Sequence, residues 1–251
     1  MTTPYGAFVT TEDLSLGGAR CLSGDLERLA SWWREHRPSP TREVRWLSAS
    51  GEEAEVLADV DRAIDAGATL LVIHYEGKND DAIAARAIIA AGTGSYASAV
   101  FAQDRKMDDL AWMRAVAAIR DARAAGTAGT AGTVGTVGTV GTAGTGCPAV
   151  TALASAFIRC SERRTPVLFD GLIAHAGALQ ANIDEPGIGQ WWLPAATCTD
   201  PAIAKVQGEL ARPPALDLHL DGRGTAGLSA VLAVLDVVAP ADQSTESTED
   251  D

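Results

Sequence analysis

Two short runs, "TLLVIH" (69–74) and "PVLF" (166–169), constrain this chain more than any other feature. Each is apolar at successive positions, so both sides of a strand built from it must be buried. A strand with one wet face alternates apolar and polar residues instead. Helical patterns frame both runs. Ser50 with Glu53 reads as a capping box opening a helix to about Ala66, with Leu57, Val60 and Ile64 on one face. A second helix spans about 81–91 and stops at Gly92, "ASAVF" (97–101) reads as a short strand, and 108–125 as a helix. Helix 148–163 precedes "PVLF", and a small-residue helix over about 173–182 follows it. "QWWLPA" (190–195) is a strand with Trp191 and Trp192 on opposite faces. Asp200 caps the next helix, with Pro201 at its first position. "ALDLHL" (215–220) and a helix over about 225–239 complete the set. This alternation predicts an α/β fold: a parallel sheet with helices on both faces, a Rossmann-like three-layer arrangement. Ligands of such sheets bind beyond the carboxyl ends of the strands. That rule singles out residues 74–79, 170–175, 197–201 and 219–225.

Residues 126–146, "GTAGTAGTVGTVGTVGTAGTG", repeat a Gly-Thr-x triplet. Without proline, and at this length, the run cannot build a collagen helix. It reads as a flexible linker between two structured halves. The expected organisation is a divergent N-terminal segment (1–49), a first half of the α/β domain (50–125), the linker (126–146), a second half (147–240) and an acidic tail (241–251). The net charge is −13, part of it in the tail "ADQSTESTEDD", and the body is acidic as well. That balance argues against nucleic acid or an anionic membrane as partner. No apolar run is long enough for a membrane helix, and the N-terminus does not read as a secretory signal. Cys21, Cys147, Cys160 and Cys198 are scattered with no C-x-x-C pair, so free thiols in a cytoplasmic protein are expected.

The stretch "HLDGRGTAG" (219–227) puts an arginine between two glycines at a strand end, just before a helix. Its surroundings carry a resemblance. "TPVLFDGLIAHAGAL" (165–179) is similar to the P-V-[VL]-x-D-G-F-I-[ST]-x-A-A-A-L signature of the nicotinate-nucleotide:dimethylbenzimidazole phosphoribosyltransferase family. "ATCTDPA" (196–202) resembles its S-x-E-P-G segment. "PPALDLHLDGRGTAGLSAVLAVLD" resembles P-L-L-D-L-x-x-R-L-G-E-G-[ST]-G-A-x-x-A-x-x-x-L. Upstream, "HYEGKNDDA" (74–82) stands where the family has G-E-M-G-I-G-N-T-T, keeping Gly77 with Glu76 nearby. "AQDRKMDD" keeps only Asp108 and Asp109 of a later G-R-G-T-G…D-D turn, and Met113 stands where a lysine is expected. The resemblance covers about residues 50–240, and the family's N-terminal part with its D-H-G-V segment has no counterpart here.

The resemblance implies the large domain of that family and its chemistry. A benzimidazole nitrogen displaces nicotinate from nicotinate mononucleotide to give α-ribazole phosphate, used in cobalamin biosynthesis. A glutamate in the G-E-G turn accepts the proton that the incoming base loses. That position is Arg223 here, and a guanidinium cannot accept a proton. It can pair with a phosphate or carboxylate, and Asp221 is the nearby carboxylate able to substitute as base. Substrate binding is implied for Glu76, Gly77, Asp170, Gly171, His175, Asp200, Gly222, Gly224 and Thr225. His74 and His219 end two strands, but no Cys or carboxylate spacing supports a metal pair. No metal or cofactor is implied. The partners expected are a nucleotide, an aromatic base, and a second copy or a homologue. Two functions remain open: a divergent transferase, or a catalytically inactive homologue that binds a nucleotide or base or pairs with an active subunit.

Overall fold

The computed structural model describes residues 19–37, 42–48, 52–75, 79–101, 107–128, 147–210, 212–221 and 225–238. Four parallel strands form the main sheet in the order β1 (Val44–Ser48), β2 (Leu70–His74), β3 (Val167–Asp170) and β4 (Trp192–Pro194). The strand rule of period two sorts their side chains. Leu71, Ile73, Val167, Phe169 and Trp192 face one core, while Leu70, Val72, Leu168 and Leu193 face another. Both parities are buried, as the unbroken apolar runs require.

The larger core lies under α2 (Glu53–Asp65), α3 (Asn79–Gly92), α4 (Asp109–Ala128), α5 (Pro148–Glu162), α6 (Leu172–Asp184) and α7 (Pro201–Glu209). Strands laid down in chain order with right-handed crossovers stack their connecting helices on one face. The other face receives the first and last helices, α1 (Ala19–His36) and α8 (Ala226–Val238). They contribute Leu29, Trp32, Trp33, Leu228, Val231 and Leu235. The molecule is an α/β fold with helices on both faces of a parallel sheet.

Pro194 marks a switch of neighbour. It has no N–H for the ladder, and at this point the chain leaves β3 and becomes β5 (Ala196–Cys198), paired in parallel with β6 (Leu216–Leu220). Ala195 joins the two sheets: its N–H donates to the Phe169 carbonyl (2.9 Å), and its own carbonyl accepts from Leu216 (3.0 Å). Ala215 N–H donates to the Pro194 carbonyl at 2.8 Å.

Several local expectations change. "ASAVF" is a 3-10 turn (Ala97–Ala99), not a strand, with Val100 buried between α3 and α4. The first residue of α2 is Glu53, its N-cap is Glu52 with no side-chain cap, and Glu53 instead accepts from Ser155 of α5. Ser50 lies outside the described residues. A 3-10 turn, Ile188–Trp191, takes in the first two residues of "QWWLPA". Trp192 is buried and Trp191 half-buried. Asp200 does cap α7, accepting from Ala202 N–H at 2.9 Å, with Pro201 at the first position. Cys147, Cys160 and Cys198 are free and buried. Among the described residues no helix is long and apolar enough to cross a membrane.

Candidate active site

Because every strand is parallel, the carboxyl ends of β2, β3, β5 and β6 share one edge of the sheet. His74 and Asp170 are register partners at the ends of β2 and β3. Both share the parity of Leu70, Val72 and Leu168, the side covered by α8. Asp170 is 3% exposed. Its Oδ1 accepts from Gly171 N–H at 2.8 Å. Its Oδ2 lies so close to Gly227, in the first turn of α8, that a Cβ there would sit 2.5 Å away. Only glycine lets the helix approach the carboxylate this closely.

Burial pushes the Asp170 carboxyl above the ordinary range, and the negative charge of Asp221 adds to the shift. The Gly171 amide and His74 oppose it. Cys198 reports the same concentration of negative charge. Its thiol is pushed up to about 11, first by burial and then by Asp200, Asp170 and Asp221, against the Asp200 amide that donates to Sγ. Three carboxylates therefore act on one strand-end thiol, which stays protonated at neutral pH.

Gly171 adopts φ +89, which an L side chain rarely takes, and lets the chain turn from β3 directly into α6. His175 follows on the first turns of α6 and is fully buried. Its Nδ1 lies 2.8 Å from the Gly171 carbonyl, and Gln207 Nε2 of α7 lies 3.2 Å from its Nε2. That pairing fixes a neutral ring with the proton on Nδ1, and burial lowers its pKa to about 4. Its ring also packs on Phe169, centroids 4.9 Å apart. His175 thus braces the Asp170–Gly171 turn from beneath.

The Asp200 carboxylate is clasped by Arg86 of α3, which also lies over the Phe101 ring at 5.1 Å. On the larger-core side, Tyr75 donates to Asp81 at 3.2 Å, and the Cys147 thiol lies 4.0 Å from the same carboxylate. Burial raises both the Tyr75 and Cys147 pKa. Thr225 precedes α8, and its carbonyl accepts the Ser229 N–H at 2.9 Å. Asp221 is exposed at the exit of β6. Glu76, Gly77, Gly222, Arg223 and Gly224 lie outside the described residues, as do 129–146 of the linker and the tail. Residues 126–128 belong to α4.

The structure therefore brings Asp170, Gly171, Asp221, Thr225 and the Asp200 cap to one edge, with His175 underneath. Arg86, Gln207, Tyr75, Asp81 and the pair Asp217–His219 escaped the sequence reading. The carboxyl ends of the strands lead into the first turns of α6, α7 and α8. At α7 the Asp200 carboxylate already takes the Ala202 N–H and Pro201 has none, so the first turns of α6 and α8 are the ones that suit an anionic ligand. Among the described residues no group of three His, Cys, Asp or Glu is arranged to hold a metal.

Known proteins share this architecture. A family profile described as phosphoribosyltransferase matches residues 55–248. The nicotinate-nucleotide–dimethylbenzimidazole phosphoribosyltransferase of Mycobacterium leprae is 33% identical over 180 residues, covering 71% of this chain and 50% of that protein. The protein of the same name from Mycobacterium tuberculosis is 31% identical over 180 residues, covering 71% and 48%. The crystal structure of CobT from Thermus thermophilus aligns with a TM-score of 0.61 at 27% identity, covering 74% of this chain and 54% of that one. The chain spans about half the length of the curated relatives it matches. The profile match alone takes in most of the α/β domain and every strand end described above except that of β1. The chain belongs to the nicotinate-nucleotide–dimethylbenzimidazole phosphoribosyltransferase family.

Proposed function

We propose that the chain transfers the phosphoribosyl group of nicotinate mononucleotide to a nitrogen of an aromatic base of the benzimidazole type, yielding α-ribazole phosphate for cobalamin biosynthesis. The observation that carries this reading is the match to the family across the strand-end edge, where Asp170–Gly171, the Asp200 cap and Thr225 stand together. Nicotinate leaves as a neutral pyridine, so its departure needs no proton. The first-turn N–H groups of α6 and α8 suit the phosphate. Arg223 adds a permanent cation for the nucleotide's phosphate or carboxylate.

Incubating the purified protein with nicotinate mononucleotide and 5,6-dimethylbenzimidazole should give α-ribazole phosphate on chromatography, with nicotinate released in equal amount. The alternative reading is a homologue that binds the nucleotide without turnover. Tight binding by calorimetry with no product after prolonged incubation would select it.

We further propose a dimer, with a second copy or a longer homologue. The edge strand β1 carries Trp46, 49% exposed, and Leu110, Met113 and Val237 are exposed large apolar side chains elsewhere. Sedimentation velocity at micromolar concentration should give a mass above 26.0 kDa, and a monomer would rule this out. The free thiols support a reducing, cytoplasmic setting.

A further inference from the structure

In the proposed transfer the incoming base loses a proton, and Arg223 cannot take it. A side chain at the strand-end edge can take it instead, and imidazole is the one whose ordinary chemistry suits proton exchange at neutral pH. The chain has four histidines. His175 is buried and braced on both nitrogens. His36 ends α1, with Nδ1 2.8 Å from the Trp32 carbonyl and its ring edge-on to Trp191 at the opposite edge of the sheet. His74 is half-buried beside Asp170.

His219 differs from all three. It is the next-to-last residue of β6, and its side chain is 72% exposed. Its backbone takes φ +49, one of two non-glycine residues with positive φ among those described. A conformation this uncommon persists where surrounding contacts hold it. Here Thr197 Oγ1 of β5 accepts the His219 N–H at 2.8 Å and donates to Asp217 Oδ1 at 2.7 Å. The same Asp217 oxygen lies 2.9 Å from His219 Nδ1. The carboxylate thus holds the Nδ1 proton, leaving Nε2 as an open acceptor facing solvent. The charged groups around this corner are Asp217 on β6, Asp221 at its exit, and the Asp25–Arg28 pair of α1. Asp25 accepts the Asp217 N–H at 3.2 Å.

We propose that His219 is the general base of the transfer, oriented by Asp217 and Thr197; this rests on the phosphoribosyltransferase reading above. As the benzimidazole nitrogen forms its bond to C1′ of the ribose, the C1′–nitrogen bond to the pyridinium breaks and its electron pair stays on the ring nitrogen of the departing nicotinate, which becomes uncharged. The proton on the other benzimidazole nitrogen passes to His219 Nε2, and the imidazolium is held by Asp217. No further reactant is needed. His219 is the catalytic residue of this step, and Asp217 and Thr197 are positioning residues.

The test is a pH–rate profile with a ring-proton titration of the full chain. Transfer should rise with pH along one limb, as the imidazolium gives up its proton. His219→Gln should remove that limb and slow transfer about 10²- to 10⁴-fold. Asp217→Asn should keep the limb but move it to lower pH, because a neutral amide stabilises the imidazolium less. A purely structural role for Asp217 would lower stability without moving the limb. Adding 5,6-dimethylbenzimidazole should shift the His219 ring resonances, which disappear in His219→Gln, and leave those of His36 in place. Retention of rate and limb by His219→Gln would overturn the proposal, as would loss of the limb in Asp221→Asn alone. If the natural protein gives no product, transfer itself is refuted. The ring titration then decides separately whether His219 faces the aromatic base: a shift supports that contact, and no shift overturns it.

Discussion

Arg86 and Asp200 are 114 residues apart in sequence, yet the guanidinium of the first grips both carboxylate oxygens of the second, one arm at 2.9 Å. Their side chains are 13% and 17% exposed. The pair fastens α3 to the start of α7 at the edge where the strands end. Asp200 is also the α7 cap, so one carboxylate serves two contacts.

Breaking this pair should therefore be asymmetric. Arg86→Ala strands a mostly buried carboxylate and should cost about 3 kcal/mol. Asp200→Ala removes the cap as well and should cost about 1 kcal/mol more. Arg86→Lys should recover less than half of the loss, since an ammonium cannot make the two-armed grip. Urea unfolding of the three variants measures these values. Equal effects of the two alanine variants would show that the cap contributes nothing.

Asp200 with Pro201 was legible because capping is local: a side-chain acceptor and a proline without N–H are adjacent in sequence. The buried strands were legible for the same reason, since Leu70–Ile73 and Val167–Phe169 declare two-sided burial in four residues. What the sequence concealed depends on distant partners. Arg86 meets Asp200, and Thr197 meets His219, only after the sheet forms. "ASAVF" has strand-like residues but no neighbouring strand to pair with, and settles as a turn between two helices. Glu53 looked like half of a capping box, but Ser155 of α5 takes its carboxylate. In α1, Leu29, Trp32 and Trp33 form an i, i+3, i+4 stripe that buries fully against the sheet, a helical signal carried by the spacing alone. Of the candidate site, Asp170–Gly171 could be placed at a strand-to-helix turn from the sequence, whereas the burial of His175 depends on its packing against Phe169 and Gln207.

Three helical glycines should respond to alanine with opposite signs. In α6, a Cβ at Gly177 would meet Leu153 Cβ at 2.7 Å and the Ala154 backbone nitrogen at 3.3 Å, so α5 and α6 must part. In α8, the Gly227 Cβ would meet Asp170 Oδ2 at 2.5 Å. Overpacking of this kind costs about 1–3 kcal/mol, more than the gain of up to about 1 kcal/mol in helix propensity. Gly208 in α7 has nothing within 4 Å, so Gly208→Ala should stabilise by about 0.5–1 kcal/mol. Thermal melts of all three decide it, and a stabilised Gly177→Ala would show that α5 and α6 are less tightly packed than described.

Acid should loosen the fold through His175. Its folded pKa is about 4 because burial disfavours the imidazolium, whereas in the unfolded chain it lies near 6.5. Between these values the unfolded state binds the extra proton, so stability falls as pH falls. The stabilisation is fully present above about pH 6.5 and fades towards pH 4, a loss of about 3 kcal/mol from this one group. His175→Gln has no ring to protonate. Its unfolding free energy should fall less than that of the natural protein between pH 7 and pH 4.5. Parallel slopes for the two proteins would place the acid response elsewhere.

Charge at position 223 should govern which ligands bind. By resemblance Arg223 stands where the family's turn carries a glutamate, and Asp221 is exposed at the exit of β6. A guanidinium pairs with phosphate or carboxylate through two parallel hydrogen bonds, and one charged hydrogen bond is worth about 1.5–3 kcal/mol. Arg223→Gln should therefore weaken nicotinate mononucleotide binding about tenfold. Arg223→Glu adds repulsion and should weaken it further, whereas the affinity for neutral dimethylbenzimidazole should change less than twofold. Raising the salt concentration should erode the advantage of the arginine, because exposed charges are screened over about 10 Å at 0.1 M ionic strength. Calorimetry with both ligands at two salt concentrations separates these effects. Equal nucleotide affinity in all three proteins would show that the turn takes no part in holding the anion.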